Sequence, residues 1–307
     1  HLEARGDAVS LSLGALATLP VDRPAYDPAA VTPGILHFGP GAFHRAHQAD
    51  FIDRLLAGDP RWGIVGVSLR SAGVTEALAA QDGLYTLTIR DAVPARRVIG
   101  ALRGWVGPGR PDAVARWLAD PRIRLVSATV TEKGYCLDAA GALDWQHPDI
   151  VHDLAGGTPR SLIGWLVQGL AARRAAGTAP FSVLPCDNLP DNGRRLGAAV
   201  TAFAARRDAG LAAWIAGEVR VANTMVDAIT PAADDRLQAE AAVLGDAAPV
   251  QREAFAQWVV EAVLPPGGPD LASVGVDVSG DVAAFERMKL RILNGAHSSL
   301  AYLGLLR

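Results

Sequence analysis

Cysteine is almost missing from this chain: its 307 residues hold only Cys136 and Cys186, far apart and with no CxxC pair. That scarcity rules out a disulfide framework, and a reducing, cytoplasmic setting is expected. A GxSxG elbow and an HExxH helix are also missing, so serine hydrolases and zinc enzymes lack their motif. His44 and His47 stand three apart, but no nearby carboxylate or cysteine completes a ligand set, and no metal is expected. No segment reaches the roughly 18 uninterrupted apolar residues of a membrane helix. The opening residues lack the basic and apolar regions of a secretory signal. Neither charge sign is in surplus: 29 Lys and Arg face 32 Asp and Glu, a formal net charge of −3. Nucleic acid and membrane surfaces are therefore not expected as partners. Repeats and low-complexity tracts are absent.

What is present is globular composition, 50% apolar and 20% charged, enough for one large core or two smaller ones. The first strong strand is Gly34 to Phe38, followed by the glycine-containing Gly39 to His44 turn. Apolar residues at Ala46, Ala49, Phe51, Ile52, Leu55 and Leu56 then predict a helix that stops at Gly58, and Trp62 to Leu69 has the length of a second strand. Strand, turn, helix and strand at this spacing form a βαβ unit. Further strands are expected at Tyr85–Ile89, Val98–Leu102, Leu125–Thr131 and Phe181–Leu184, with Leu84–Gly104 inserted in or beside the sheet. Helices are expected at Ala113–Leu118, Ser161–Ala176, Arg194–Arg207 and Gln251–Val263. Buried strands alternating with helices make an α/β fold with a mostly parallel sheet. After the Pro265–Pro269 break a long helix pattern runs from about Asp281 to Leu306, so a boundary is placed at Gly280.

Several stretches carry chemistry. Glycines at Gly39 and Gly41 let backbone approach a pyrophosphate ahead of a helix N-terminus, although His44 replaces the third glycine of the full fingerprint. The same turn also suits an ordinary strand–helix junction. The second strand ends in Leu69-Arg70-Ser71, with no acid to bind a ribose diol; Arg70 suits a 2′-phosphate, an adenine face or plain solvent. Thr129 to Tyr135 and Leu184 to Pro190 each take a strand end into polar residues, as ligand crevices and turns both do. In Lys289 to Ser299, helical geometry puts Lys289, His297 and Asn294 at about 0°, 80° and 140°, on one side of an otherwise apolar segment. Desolvation can make such a lysine a general base, and an asparagine can donate to a developing alkoxide. An amphipathic helix with an exposed lysine reads equally well from these residues alone.

Taken together, Gly39 to Gln48, Thr129 to Tyr135, Ser182 to Pro190, Thr224 to Asp227 and Lys289 to Leu303 resemble the long-chain polyol dehydrogenases, the family of mannitol 2-dehydrogenase and of the fructuronate and tagaturonate reductases. The resemblance implies a Rossmann-type, mostly parallel sheet with added strands over residues 1–280, then the start of an α-helical substrate domain at 281–307. Because the family continues for well over a hundred residues, the chain is expected to be truncated, and poorly active if it is the whole molecule. The implied reaction is metal-independent hydride transfer between NAD, or alternatively NADP, and a polyol or sugar acid, in a cytoplasmic monomer. Lys289 would be the base, Asn188 and Asn294 would hold the reacting oxygen, and His297 would orient the substrate. Asp227 and Glu132 would contact substrate, Glu132 also linking the lysine to solvent. Gly39, Gly41, Phe43, Arg45 and Arg70 would line the dinucleotide. Ala228 departs from the arginine that the family usually has after its Val-Asp pair. The alternative function is a catalytically inactive dinucleotide-binding remnant or regulatory module; an epimerase would usually carry a Tyr-x-x-x-Lys pair, which is absent.

Overall fold

The computed structural model describes residues 11–291. Its first strand, β1 (Pro33–Phe38), is buried along almost its whole length, as a central parallel strand must be. The chain turns at Gly39 into α1 (Ala42–Ala46) and α2 (Gln48–Leu55), then returns as β2 (Gly63–Val67). The apolar spacing predicts one helix here; two form, because His47 leaves helical geometry at φ −120°, ψ −88°.

After α3 (Gly73–Ala80), β3 (Tyr85–Arg90) and β4 (Ala95–Ile99) form an antiparallel pair outside the main sheet. β5 (Leu102–Val106) rejoins that sheet, parallel to β2. The single strand expected over Val98–Leu102 is thus two strands, separated by Gly100 and Ala101. Next come α4 (Pro111–Ala119), β6 (Leu125–Ala128), α5 (Pro148–Leu154), α6 (Leu162–Ala175) and β7 (Ser182–Pro185). The main sheet has the order β5-β2-β1-β6-β7 with every pairing parallel. The chain starts in the middle and winds outward on both sides, so the direction of winding reverses between β1 and β6.

α7 (Asn192–Arg207), α8 (Ala209–Glu218), β8 (Thr224–Ala228), α9 (Asp235–Ala242), β9 (Val250–Glu253), β10 (Ala256–Glu261) and β11 (Asp277–Ser279) follow. The helix expected over Gln251–Val263 is instead the two strands β9 and β10. β9 pairs with β3 and β10 with β8, and Trp258, Val259 and Val260 are buried there. Packing on both sides of a β-branched run overrides an ambiguous helical spacing. Residues 282–291 are helical.

Alternate residues of β1 face opposite layers. Leu36 and Phe38 join a core with Val114, Leu166 and Phe203 of the helical layer. Ile35 joins Ile52, Tyr85 and Trp258, between the main sheet, α2 and the two small sheets. Arg173 on α6 is buried among apolar groups, where its guanidinium donates to the carbonyl oxygens of Leu118, Ala179, Asp120 and Ile123 at 2.5–2.9 Å. It thereby locks the end of α4 and the approach to β6 onto α6.

Candidate active site

Parallel strands of a doubly wound sheet leave a crevice at their carboxyl ends where the winding reverses. Here that place is a cavity of about 500 Å³, bordered by Gly39 after β1, Ser68 to Ser71 after β2 and Val130, Thr131, Lys133 and Gly134 after β6. Gly39 has φ +89°, and a Cβ there would stand 2.8 Å from the Thr129 carbonyl oxygen, so only glycine fits without strain. Its N–H donates to Val67 O at 2.9 Å, and its carbonyl accepts from the Thr129 hydroxyl at 2.6 Å. Gly41 caps the start of α1, is exposed, and an added Cβ would meet only the Gly39 carbonyl oxygen, at 3.9 Å.

His37 supports this turn from inside β1. Its Nε2 lies 3.0 Å from Thr129 Oγ1 and 3.2 Å from Gly39 O, and its Nδ1 lies 2.7 Å from Ser127 Oγ. The His44 ring stacks on it with centroids 3.4 Å apart. Burial pushes His37 down to about 3 and His44 well below the usual imidazole value, so both rings are neutral.

Around the crevice, Arg70, Lys133 and Arg160 outnumber the carboxylate of Asp149. Arg70 is 87% exposed and stands 3.8 Å from Asp149. Sequence reasoning missed Lys133, Arg160 and Asp149, because only the fold brings the segments after β6 and before α6 to the end of β2. Two of the residues expected at the cofactor, Arg45 and Phe43, do not line this cavity. The Arg45 side chain is buried away from the crevice, donating to Pro40 O at 3.2 Å and to Ala248 O, with Tyr85 beneath its guanidinium. Phe43 is half-buried and stacks on His47, centroids 5.1 Å apart, on the α2 side. Proximity in sequence to a glycine turn does not set the direction of a side chain on a short helix.

The ends of β7 and β8 hold a second group of residues. Asn192 at the start of α7 donates to Thr224 O at 3.0 Å and accepts from Thr224 N at 2.9 Å, while the Thr224 hydroxyl donates to Pro185 O. β7 and β8 are thereby joined where each meets the site. Gly193 permits that join, since a Cβ would lie 2.4 Å from the Ala222 carbonyl. Lys289, on the helix of residues 282–291, donates to Asn188 Oδ1 at 3.0 Å and to Val226 O at 2.9 Å, and stands 3.3 Å from Asp227 Oδ1. Lys289, Asn188 and Asp227, more than a hundred residues apart at the extremes, therefore share one site. Tyr135 donates to Asp187, tying the Glu132–Tyr135 turn to the Asn188 segment. Burial holds that phenol well above its ordinary value, so it stays a donor. Asn294 and His297 lie outside the described residues.

Both cysteines are buried. Cys136 reaches the crevice wall from a left-handed position, φ +51°, and burial pushes its thiol up to about 12. Cys186, directly after β7, is raised well above the usual thiol value by burial and by Asp187. Among the described residues no helix is long and apolar enough to cross a membrane.

This strand order, with its crevice at the reversal point, is the architecture of the dinucleotide-binding class of α/β domains. Within that class the chain belongs to the mannitol dehydrogenase family: residues 33–272 match the model of the mannitol dehydrogenase Rossmann domain. It is 48% identical over 295 residues to a mannitol 2-dehydrogenase of Cereibacter sphaeroides, covering 93% of this chain and 62% of that protein. It is 44% identical over 300 residues to the D-mannonate oxidoreductase of Escherichia coli, covering 94% and 62%. Among solved structures, the Pseudomonas fluorescens mannitol 2-dehydrogenase in ternary complex with NAD and D-mannitol superposes with a TM-score of 0.87 at 40% identity, over 97% of this chain and 64% of that one. The chain thus spans less than two thirds of the length of these relatives.

Proposed function

We propose that this chain supplies the cofactor crevice and the acid–base group of an NAD(P)-dependent dehydrogenase acting on a polyol or sugar acid. The observation that carries this reading is the set of partners around Lys289. Its partners among the described residues, Asn188 Oδ1, Val226 O and Asp227 Oδ1, are all acceptors, as the donors of an ammonium group require. Once a ketose carbonyl oxygen displaces one of these acceptors, the ammonium can give it a proton; in the reverse direction the free amine takes the proton from a secondary hydroxyl. Because Asn188 Oδ1 faces the lysine, its Nδ2 is left for the substrate oxygen, where a neutral donor stabilises partial negative charge. Asp227 is half-buried at the same place and suits a substrate hydroxyl. The lysine carries the acid–base chemistry without a metal.

The crevice fits a nicotinamide dinucleotide: backbone is open at Gly41, and Arg70, Lys133 and Arg160 offer positive charge to phosphates. When bound, the nicotinamide would accept or return the hydride. The relative crystallised with NAD and D-mannitol and the relative named for mannonate support a hexitol or hexonate as substrate.

The test is oxidation of NADH and NADPH against fructose, fructuronate and tagaturonate, for the protein and its Lys289→Ala variant, with cofactor binding titrated separately. Turnover should fall by roughly 10²–10⁴-fold in the variant while cofactor affinity is kept. Undiminished turnover sinks the lysine's role; failure of either cofactor to bind sinks the reading as a whole.

A further inference from the structure

Behind the glycine turn, between β1, α2 and β10, lies an interior cavity of about 10 Å³. Its walls are isoleucine and leucine side chains except at His44, Gln48, Ser127 and Trp258, and every residue lining it is buried. Three of those four polar side chains each present an atom with no partner among the described residues: His44 Nδ1, Gln48 Oε1 and Trp258 Nε1. These come from three different elements, α1, α2 and β10.

Hydrogen-bond logic fixes what each atom can do. His47 Nε2 lies 2.8 Å from the Gln257 carbonyl oxygen, so that nitrogen carries the proton. His47 Nδ1 is then an acceptor, and the group 2.9 Å from it must be the Gln48 amide nitrogen. The Gln48 orientation is thereby set, and its Oε1 remains as an unmatched acceptor. Trp258 Nε1 can only donate. His44 is neutral through burial, so its Nδ1 either accepts or donates according to tautomer. In both cases the three atoms require a small partner that donates and accepts at once, with at most two bonds of each kind.

A cation would meet the indole N–H, and an anion would meet the amide oxygen. An apolar guest has too little room. A water molecule meets the size, since about 10–15 Å³ suffices, and needs two to four polar partners. We propose that one buried water is a fixed part of this domain, accepting from Trp258 Nε1, donating to Gln48 Oε1 and completing His44 Nδ1. The site joins α1, α2 and β10 at one point. It lies directly behind the His37–His44 stack that supports Gly39, because Ser127, which also lines the cavity, is bonded to His37 at 2.7 Å.

The test begins with a crystal structure at a resolution that shows ordered water. The expected result is one density peak about 2.7–3.2 Å from all three atoms. Absence of the peak, with Gln48 or Trp258 rotated to meet another protein atom, overturns the proposal. Urea unfolding of His44→Phe, Trp258→Phe and the double variant supplies the second readout. Both changes keep an aromatic ring, and His44→Phe keeps the stack on His37. Each single variant should lower the unfolding midpoint, and the double variant should lower it by less than the two losses added together, since both act on one shared molecule. Additive losses would show that the two residues do not share a ligand.

Discussion

At Gly39 a single backbone angle governs the whole crevice edge. At φ +89°, with the Thr129 carbonyl 2.8 Å from any added Cβ, Gly39→Ala should destabilise the fold by about 1–3 kcal/mol and weaken dinucleotide binding as well; parallel urea and cofactor titrations would show both. The three buried imidazoles behind the turn give a pH prediction. His37 titrates at about 3, His47 at about 4 and His44 well below the ordinary 6.5. Unfolded chains take up these protons below about pH 6.5, and the folded protein does not until near pH 4 or lower. Stability is therefore fullest above about pH 6.5 and falls as pH drops below it towards the folded values, with a slope of up to about 4 kcal/mol per pH unit for three rings. Unfolding midpoints at about pH 7 and pH 5 should differ strongly, and a flat profile would contradict the neutral rings. At this scale Asn188 at a strand end and Lys289 on an apolar helix stand out in the sequence as polar residues, Asp227 enters through the family resemblance alone, and the fold brings the three together. Arg45 stands beside the glycine motif, yet its own side chain goes inward to Ala248 and Tyr85.

At the scale of elements, legibility followed hydrophobic run length. β1, β2 and β7 are short apolar runs and could be read directly. β5, with the sequence LRGWV, hides its place in the main sheet because arginine and glycine interrupt it; its partner β2 supplies the apolar cover. β9 and β10 carry enough spaced apolar residues to imitate a helix, and only pairing with β3 and β8 decides the matter. One side chain joins several of these elements. Arg173→Met should remove a donor from four carbonyl oxygens, two of them in buried hydrogen bonds, and cost about 3–5 kcal/mol. Chemical denaturation measures this, and a loss below about 1 kcal/mol would mean that the carbonyls find other donors.

Across the whole molecule, the net charge of −3 conceals a local reversal: the crevice gathers Arg70, Lys133 and Arg160 against Asp149. No acid closes β2, so Arg70→Ala should weaken NADPH binding by roughly tenfold and leave NADH nearly unaffected, with fluorescence titration as the measurement. Equal losses for both cofactors would move Arg70 from the 2′-phosphate to the shared adenosine or pyrophosphate. With Lys289 as the acid–base group, a strong chelator should leave turnover unchanged; a loss restored by a divalent cation would require a metal in the reaction. Whole-molecule organisation was readable from the alternation of strands and helices. The β3–β4 pair was readable as added strands beside the main sheet; its pairing with β9 was not, because β9 lies far along the chain from β3.

The two cysteines turn the same architecture into a built-in clock. A thiol raised to about 12 and a second raised well above the usual thiol value expose almost no thiolate at neutral pH, so alkylation waits for the structure to open. Cys136 sits in the crevice wall and Cys186 at the root of β7. Their separate labelling rates would time the breathing of the crevice and the parting of the sheet, and a molecule seated in the crevice would slow the first more than the second.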